Sequence, residues 1–123
     1  MNQVQNAVSL HPYFKLHAGQ SEPVKAVLRA FIDKAAKEPG MLYYGFSING
    51  DLLCCREAYL DAQAVLMHLE NVGPEIQQLL TLSDLVRLEI HGPAAELETL
   101  RAPLGPYNPE WYTWIAGVSR MGS

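Results

Sequence analysis

The fold is decided by MLYYGFSINGDLLCCREAY, residues 41–59 of a chain of 123 residues. Asn49-Gly50 lies at the centre of this stretch and is the strongest short signal for a β-hairpin, because both turn positions need a positive φ. Alternate residues on either side of the turn project to opposite faces of a sheet. The stretch therefore predicts two antiparallel strands, residues 41–49 and 52–59.

Amphipathic helices flank this hairpin on both sides. Upstream, Ser21 is a natural N-cap, and apolar residues then recur at spacings of three and four until Pro39-Gly40 ends the helix. Downstream, Asp61 is a natural N-cap for a second helix, which Gly73-Pro74 breaks and restarts as a shorter helix. The pattern predicts helices that each bury one stripe of side chains.

The outer parts of the chain supply the remaining elements. Residues 8–17 and 85–91 alternate like strands, and Pro12 indicates an edge, a bulge or pairing that begins after it. Residues 94–102 are predicted to form a short helix. A Pro-rich segment then leads to residues 111–118, which are rich in strand-forming side chains.

The resulting order of elements is strand, helix, strand, strand, helix, strand. This is the split βαβ, or ferredoxin-like, arrangement of the α+β class, and right-handed crossovers place both long helices on one face of an antiparallel sheet. We expect a single domain whose core spans residues 8–91, followed by a C-terminal extension, residues 92–123, with a helix and an extra strand or tail.

Both faces of the predicted hairpin are largely apolar or aromatic. If water covered one face, apolar and strongly polar residues should alternate cleanly. They do not alternate in this way. In the first strand Met41 and Tyr43 project to one face and Leu42 and Tyr44 to the other, and in the second strand Cys54 and Cys55 also project to opposite faces. We therefore expect a homodimer that pairs through its sheet faces; the alternative is a monomer whose C-terminal tail covers the open face.

Composition excludes several other classes. A net charge of −4 with scattered Lys and Arg argues against nucleic-acid binding. No apolar run reaches the roughly 20 residues that a membrane span needs, and the first six residues lack a secretion signal, so a cytoplasmic protein without membrane contact is expected. The adjacent Cys54 and Cys55 point to opposite faces and are expected to stay reduced.

A family resemblance emerges from residues 38–68. Glu38-Pro39-Gly40 precedes the second strand, and a pattern of glutamate, aromatic, acidic, alanine and histidine residues follows, met here by Glu57, Tyr59, Asp61, Ala64 and His68. In these residues the chain resembles the antibiotic biosynthesis monooxygenases, which are dimeric α+β barrels.

The resemblance implies candidate reactions. Members of that family include oxygenases that oxidise phenols and quinols without a metal or an organic cofactor, and others that degrade haem. No Asn lies within residues 8–17 and no Trp precedes Trp111, which departs from the haem-degrading members. The resemblance thus implies a cofactor-independent monooxygenase acting on a small aromatic or quinol-type substrate. A non-catalytic ligand-binding or structural homodimer, and an isomerase- or decarboxylase-like enzyme acting on a small acid, are the alternatives.

His68 and Glu57 are the candidate catalytic residues. An imidazole can take a phenol proton near neutral pH, and Glu57 would orient it. The plainer interpretation of His68 is a helix residue that makes a hydrogen bond to Glu57 or to a carbonyl group. The plainer interpretation of Glu57 is that it forms an ion pair.

Aromatic side chains are the candidate substrate-binding residues, because flat apolar rings can sandwich a planar ligand. The plainer interpretation assigns them to the core or to an interface. A metal site is not expected: His91 could approach His11 across neighbouring strands, but no third ligand has a recognisable spacing. The candidate substrate-binding residues are Tyr44, Phe46, Tyr59, Trp111 and Trp114.

Overall fold

The structure, a computed structural model, describes residues 6–120; residues 1–5, part of the stretch inspected for a secretion signal, lie outside this range. The predicted α+β order is confirmed. The elements are β1 (Val8–Leu16), α1 (Ser21–Ala35), β2 (Met41–Asn49), β3 (Leu52–Tyr59), α2 (Ala62–Asn71), α3 (Gly73–Leu82), β4 (Ser83–Gly92), α4 (Ala94–Leu104) and β5 (Glu110–Thr113).

The strands form one mixed sheet in the order β2-β3-β1-β4-β5. Neighbouring strands are antiparallel except for β5, which runs parallel to β4. β1 therefore lies at the centre of the sheet although it contains Pro12, and its pairing with β4 shifts register between Tyr13 and Phe14. The residue that this shift leaves without a partner in the pairing is Val86 of β4, whereas Pro12 pairs with Leu88, so the irregularity lies near Pro12 but not at it, and the predicted edge position is not found.

The core lies between the sheet and the helices. A first cluster of buried side chains joins the start of β1 and the end of β3 to α2 and α4, and includes Val8, Val65 and Leu100. A second cluster joins the other end of β1 to α1 and α3, and includes Phe14, Phe31 and Leu79. The two clusters divide the helix-covered face into two halves.

The two predicted N-caps differ in outcome. Asp61 caps α2, since its Oδ1 accepts a hydrogen bond of 2.9 Å from the backbone N–H of Ala64. The prediction for Ser21 is wrong, because α1 already includes Ser21 and makes no side-chain cap hydrogen bond. Gln20 occupies the cap position instead, and its carbonyl accepts from Val24 N–H at 3.0 Å.

Gly40 brings the loop between α1 and β2 directly against α2. A Cβ atom at this position would lie 2.6 Å from the Cβ of Ala64, which is closer than carbon atoms approach. Only glycine leaves room for this contact. The contact sets how close the end of α1 comes to the middle of α2.

The sheet face opposite the helices is more polar than the hairpin alone predicted. Arg56 lies 5.8 Å from the ring centroid of Tyr43, and Arg87 lies 5.6 Å from that of Tyr13. The ring of Tyr112 stacks on His91 at 4.5 Å. The aromatic rings expected on this open face are thus present, but cationic side chains lie over two of them. Within residues 6–120, no helix has the length and apolar content needed to cross a bilayer.

Candidate functional site

A cavity of about 350 Å³ lies between the helices and the sheet. Side chains from both core clusters line it, and most of them are apolar. Polar groups are concentrated where β2 and β3 face α2. The apolar lining includes Leu10, Phe14, Phe31, Phe46, Leu66, Leu69, Ile76, Leu79, Leu80, Leu85, Leu88 and Leu104.

Glu57 lies on β3, on the helix-covered side of the sheet, where Leu10 and Tyr44 are its partners on the neighbouring strands. It is only 5% exposed, and its Oε1 accepts a hydrogen bond of 2.5 Å from the hydroxyl of Tyr59. Burial raises the pKa of the Glu57 carboxyl, against the opposing effects of His68 and the Tyr59 hydrogen bond. Burial therefore disfavours the ionised form of this carboxyl group.

His68 lies on α2 opposite Glu57 and is 2% exposed. Its Nε2 lies 3.5 Å from Glu57 Oε1, so the two predicted catalytic residues come together at the cavity wall. Its Nδ1 lies 2.8 Å from both carboxylate oxygens of Glu38. The ring is held between two carboxyl groups that approach from different elements.

Glu38 was not predicted as a site residue, although it is one of the residues in which the chain resembles the antibiotic biosynthesis monooxygenases. The residue follows α1, and 30 positions separate it from His68. Its position before Pro39-Gly40 was the available signal. Placing it beside His68 requires the close approach of Gly40 to Ala64, which no local pattern reveals.

Tyr44 and Phe46 line the cavity as predicted, and their rings meet edge to face at 5.4 Å. The ring of Tyr44 also lies 5.1 Å from that of His68. Burial raises the pKa of the Tyr44 hydroxyl and of the Cys55 thiol, which also lines the cavity, so both groups keep their protons. Tyr59, also predicted to bind the substrate, does not line the cavity: its ring packs 5.0 Å from that of His68, and its hydroxyl donates to Glu57.

Trp111 and Trp114 do not line the cavity of the described chain. Trp111 packs against the first core cluster with Arg101 4.9 Å from its ring, and Trp114 is 53% exposed. The C-terminal side chains that do reach the cavity are Leu104 and its neighbour Pro103, together with Tyr107.

His11 and His91 approach each other as the topology suggested, with ring centroids 5.0 Å apart. They lie in strand positions that alternate with the buried ones, away from the cavity. Across residues 6–120, His, Cys, Asp and Glu side chains form no group of three that could hold a metal ion.

The arrangement at the polar end of the cavity suits proton transfer. Glu57, whose carboxyl pKa is raised by burial, lines the cavity beside His68, and the Nε2 atom of His68 lies 3.5 Å from Glu57 Oε1, close enough for a proton to pass between them after a small movement. The walls around these groups are mostly apolar, and charged groups interact more strongly in surroundings of low dielectric constant.

Comparisons with known proteins identify relatives among solved structures, while no family model and no curated protein matches. MupZ from Pseudomonas fluorescens is 42% identical over 94% of this chain and 95% of its own, with a TM-score of 0.89. A protein from Chloroflexus aurantiacus, provisionally assigned as an antibiotic biosynthesis monooxygenase, is 19% identical over 72% of this chain and 93% of its own, with a TM-score of 0.60.

SnoaB from Streptomyces nogalater, a cofactor-independent oxygenase, is 19% identical over 69% of this chain and 88% of its own, with a TM-score of 0.58. The structures from Chloroflexus aurantiacus and Streptomyces nogalater are thus similar to this chain in fold. MupZ also matches nearly the whole length, including the C-terminal extension. The chain therefore belongs to the same family as MupZ, and its fold is that of the antibiotic biosynthesis monooxygenases.

Proposed function

We propose that this chain is an enzyme that exchanges a proton between Glu57 and an uncharged, largely apolar substrate bound in the cavity. The observation that carries the proposal is a buried carboxyl group with a raised pKa, in contact with a histidine at the wall of an apolar cavity. A strongly perturbed group in a cleft is a common mark of a catalytic site.

The charge of the lining supports an uncharged substrate. Glu57 and Glu70 contribute acidic groups, and no Lys or Arg is among the described residues that line the cavity. A carboxylate or phosphate bound here would find no Lys or Arg side chain to pair with. This lining does not favour the small acid considered from the sequence, whereas the three phenylalanine rings suit an apolar or aromatic molecule.

The first reaction that we propose is cofactor-independent monooxygenation of a phenol or quinol. Its support is the fold shared with SnoaB, a cofactor-independent oxygenase. His68 takes the phenol proton, directly or through Glu57, and the electron-rich phenolate then reduces O₂. One oxygen atom joins a ring carbon and the other leaves as water, so that a phenol and O₂ give a quinone and water.

A second reaction, a redox-neutral isomerisation, is favoured by the raised pKa of Glu57. A raised pKa makes a carboxyl group better suited to act as a general acid, whereas phenol deprotonation calls for a base. In this reaction Glu57 donates a proton to the substrate, His68 removes another, and no oxygen is consumed.

Oxygen uptake and product analysis test both reactions. A panel of hydroquinones, polyphenols and neutral apolar compounds is incubated with the wild type, His68→Ala and the control His17→Ala. His17 is a suitable control because it is exposed and bonds Asp84 at 3.1 Å, away from the cavity.

Uptake by the wild type and His17→Ala, and its loss in His68→Ala, supports the oxygenase. Product formation without oxygen supports the isomerase. Binding of these compounds with no product under either condition contradicts an enzyme and favours the ligand-binding alternative.

We also propose that two copies pair through the open sheet face. The support is the set of aromatic rings on that face, including Tyr13 and Tyr43, together with a fold whose resemblance implies a dimer. Sedimentation velocity should give twice 13.7 kDa at micromolar concentration. Arg56→Glu should weaken the dimer, whereas Arg29→Glu on the exposed side of α1 should not. A wild type that sediments as a monomer would refute the pairing.

A further inference from the structure

We propose that Glu38 is a positioning residue that fixes the ring of His68 with its hydrogen on Nδ1, so that Nε2 faces Glu57. This inference rests on the proposed function for its catalytic consequence. Glu38 does not line the cavity and touches the reacting group only through His68.

The contacts of His68 determine which nitrogen carries the hydrogen. Both carboxyl oxygens of Glu38 lie 2.8 Å from Nδ1, and Oε2 also accepts a hydrogen bond from the side-chain amide of Asn71, so Nδ1 faces a pair of acceptor oxygens. The geometry therefore favours Nδ1 as the donor. In the neutral ring, Nε2 then keeps a lone pair, and this lone pair lies on the side of Glu57 Oε1, 3.5 Å away. In the opposite tautomer, Nε2–H would block this exchange and Nδ1 would face the carboxylate with its lone pair.

Glu38 is itself held in place from a third side. The side-chain amide of Asn71 donates to Glu38 Oε2 at 2.9 Å and to the backbone carbonyl of Lys34 at 3.4 Å. Lys34 in turn donates to the carbonyl of Asn71 at 3.2 Å. These bonds tie the end of α1 to the end of α2, so the carboxylate has little freedom to turn away from His68.

Burial gives this contact its importance. The side chains of His68 and Glu38 are 3% and 7% exposed, so water cannot easily replace either partner. Removing the carboxylate leaves Nδ1–H without an acceptor, and the ring can then exchange its hydrogen between the two nitrogens. An amide at the same position still offers one oxygen as an acceptor, so glutamine should preserve the tautomer better than alanine.

Nitrogen NMR of the His68 ring tests the tautomer without reference to activity. Spectra of ¹⁵N-histidine-labelled protein are recorded for the wild type, Glu38→Ala, Glu38→Gln and the control Glu75→Gln. Glu75 pairs with Lys34 at 2.9 Å in the same neighbourhood but does not touch His68. We expect a protonated Nδ1 and an unprotonated Nε2 in the wild type and in the control, a mixture of tautomers in Glu38→Ala, and the wild-type pattern largely restored in Glu38→Gln.

Kinetics then measure the consequence. We expect kcat to fall about 10–100-fold in Glu38→Ala with KM within about twofold, and to recover partly in Glu38→Gln. Asn71→Ala keeps the Glu38 carboxylate but removes the hydrogen bond that holds it. This variant should show a smaller loss of the fixed tautomer, and it tests the proposal if Glu38→Ala fails to fold.

Hydrogen on Nε2 in the wild type would overturn the assignment, as would a folded Glu38→Ala variant that keeps the wild-type tautomer. A wild type that turns over no substrate refutes the proposed function instead, while the spectra still decide the role of Glu38.

Discussion

Replacing Gly40 with alanine should destabilise the fold by an amount set by one contact. The added Cβ would lie 2.6 Å from the Cβ of Ala64, and ordinary contact begins near 3.4 Å, so the α1–β2 loop and α2 must separate by roughly 0.8 Å. Overpacking of this kind costs about 1–3 kcal/mol. The lower entropy of the unfolded alanine chain offsets about 0.4–1 kcal/mol. We expect a net loss of about 1–2 kcal/mol in urea unfolding.

Gly105→Ala is the matched control, because a Cβ there meets nothing within 4 Å and its φ is negative. It should leave stability unchanged or raise it slightly. Ala64→Gly removes the opposing Cβ, so Gly40→Ala should cost almost nothing in that background even though Ala64→Gly itself costs about 1 kcal/mol in a helix. If Gly40→Ala is as stable as Gly105→Ala, or if Ala64→Gly does not relieve it, the contact does not position the loop as we argue.

Three further predictions concern the cap, the buried acid and the C-terminal tryptophans. Asp61→Ala should lower the free energy of unfolding by about 1 kcal/mol, since it removes the cap hydrogen bond of α2, whereas Ser21→Ala should change it by a few tenths at most. Folding raises the pKa of Glu57 above its ordinary value of 4.5, so above this pH the unfolded chain releases a proton that the folded chain binds more tightly. The free energy of unfolding should therefore fall as the pH rises above 4.5, by at most about 1.4 kcal/mol per pH unit. Glu57→Gln should remove this trend, and urea midpoints that rise with pH more steeply in the wild type than in the variant would contradict the sign. Trp111→Ala should lower the free energy of unfolding by about 2 kcal/mol, less than the loss of a fully buried tryptophan, and Trp114→Ala should lower it by under about 0.5 kcal/mol. Neither substitution should change KM. An increase in KM on substitution would place that tryptophan at the cavity.

Local patterns determined those parts of the fold that depend on neighbouring residues. The two hairpin strands begin and end where the sequence predicted, but the turn is shifted by one residue from the predicted Asn49-Gly50: Asn49 pairs with Leu52, Gly50 and Asp51 form the turn, and Gly50 alone of the two predicted turn residues has a positive φ. β4 begins at Ser83 instead of residue 85, since Ser83 and Asp84 pair with the end of β1. The tail strand ends at Thr113 instead of residue 118, because β4 itself ends at Gly92, the partner of Thr113. Both differences come from pairing between distant segments, which periodicity does not encode.

The position of the tryptophans follows from strand order. The sequence suggested that Trp111 and Trp114 cover the cavity or dock onto a partner subunit. β5 pairs with β4 at one edge of the sheet, whereas Tyr44 and Phe46 lie on β2 at the opposite edge, with three strands in between. A composition rich in aromatic residues shows that the tail can bury surface, but only the parallel pairing of β5 shows where.

The ionisable groups at the end of the cavity are the strongest argument that the cavity has a function. Glu57, His68 and Glu38 are all removed from water, and burying such groups costs free energy even when they are paired. Apolar side chains of similar size would pack the same space and often stabilise a fold equally well or better. Packing therefore gives no reason for three polar side chains from three different segments to converge on one wall. Proton exchange with a bound molecule does give such a reason, because it needs an acid and a base beside each other at the wall.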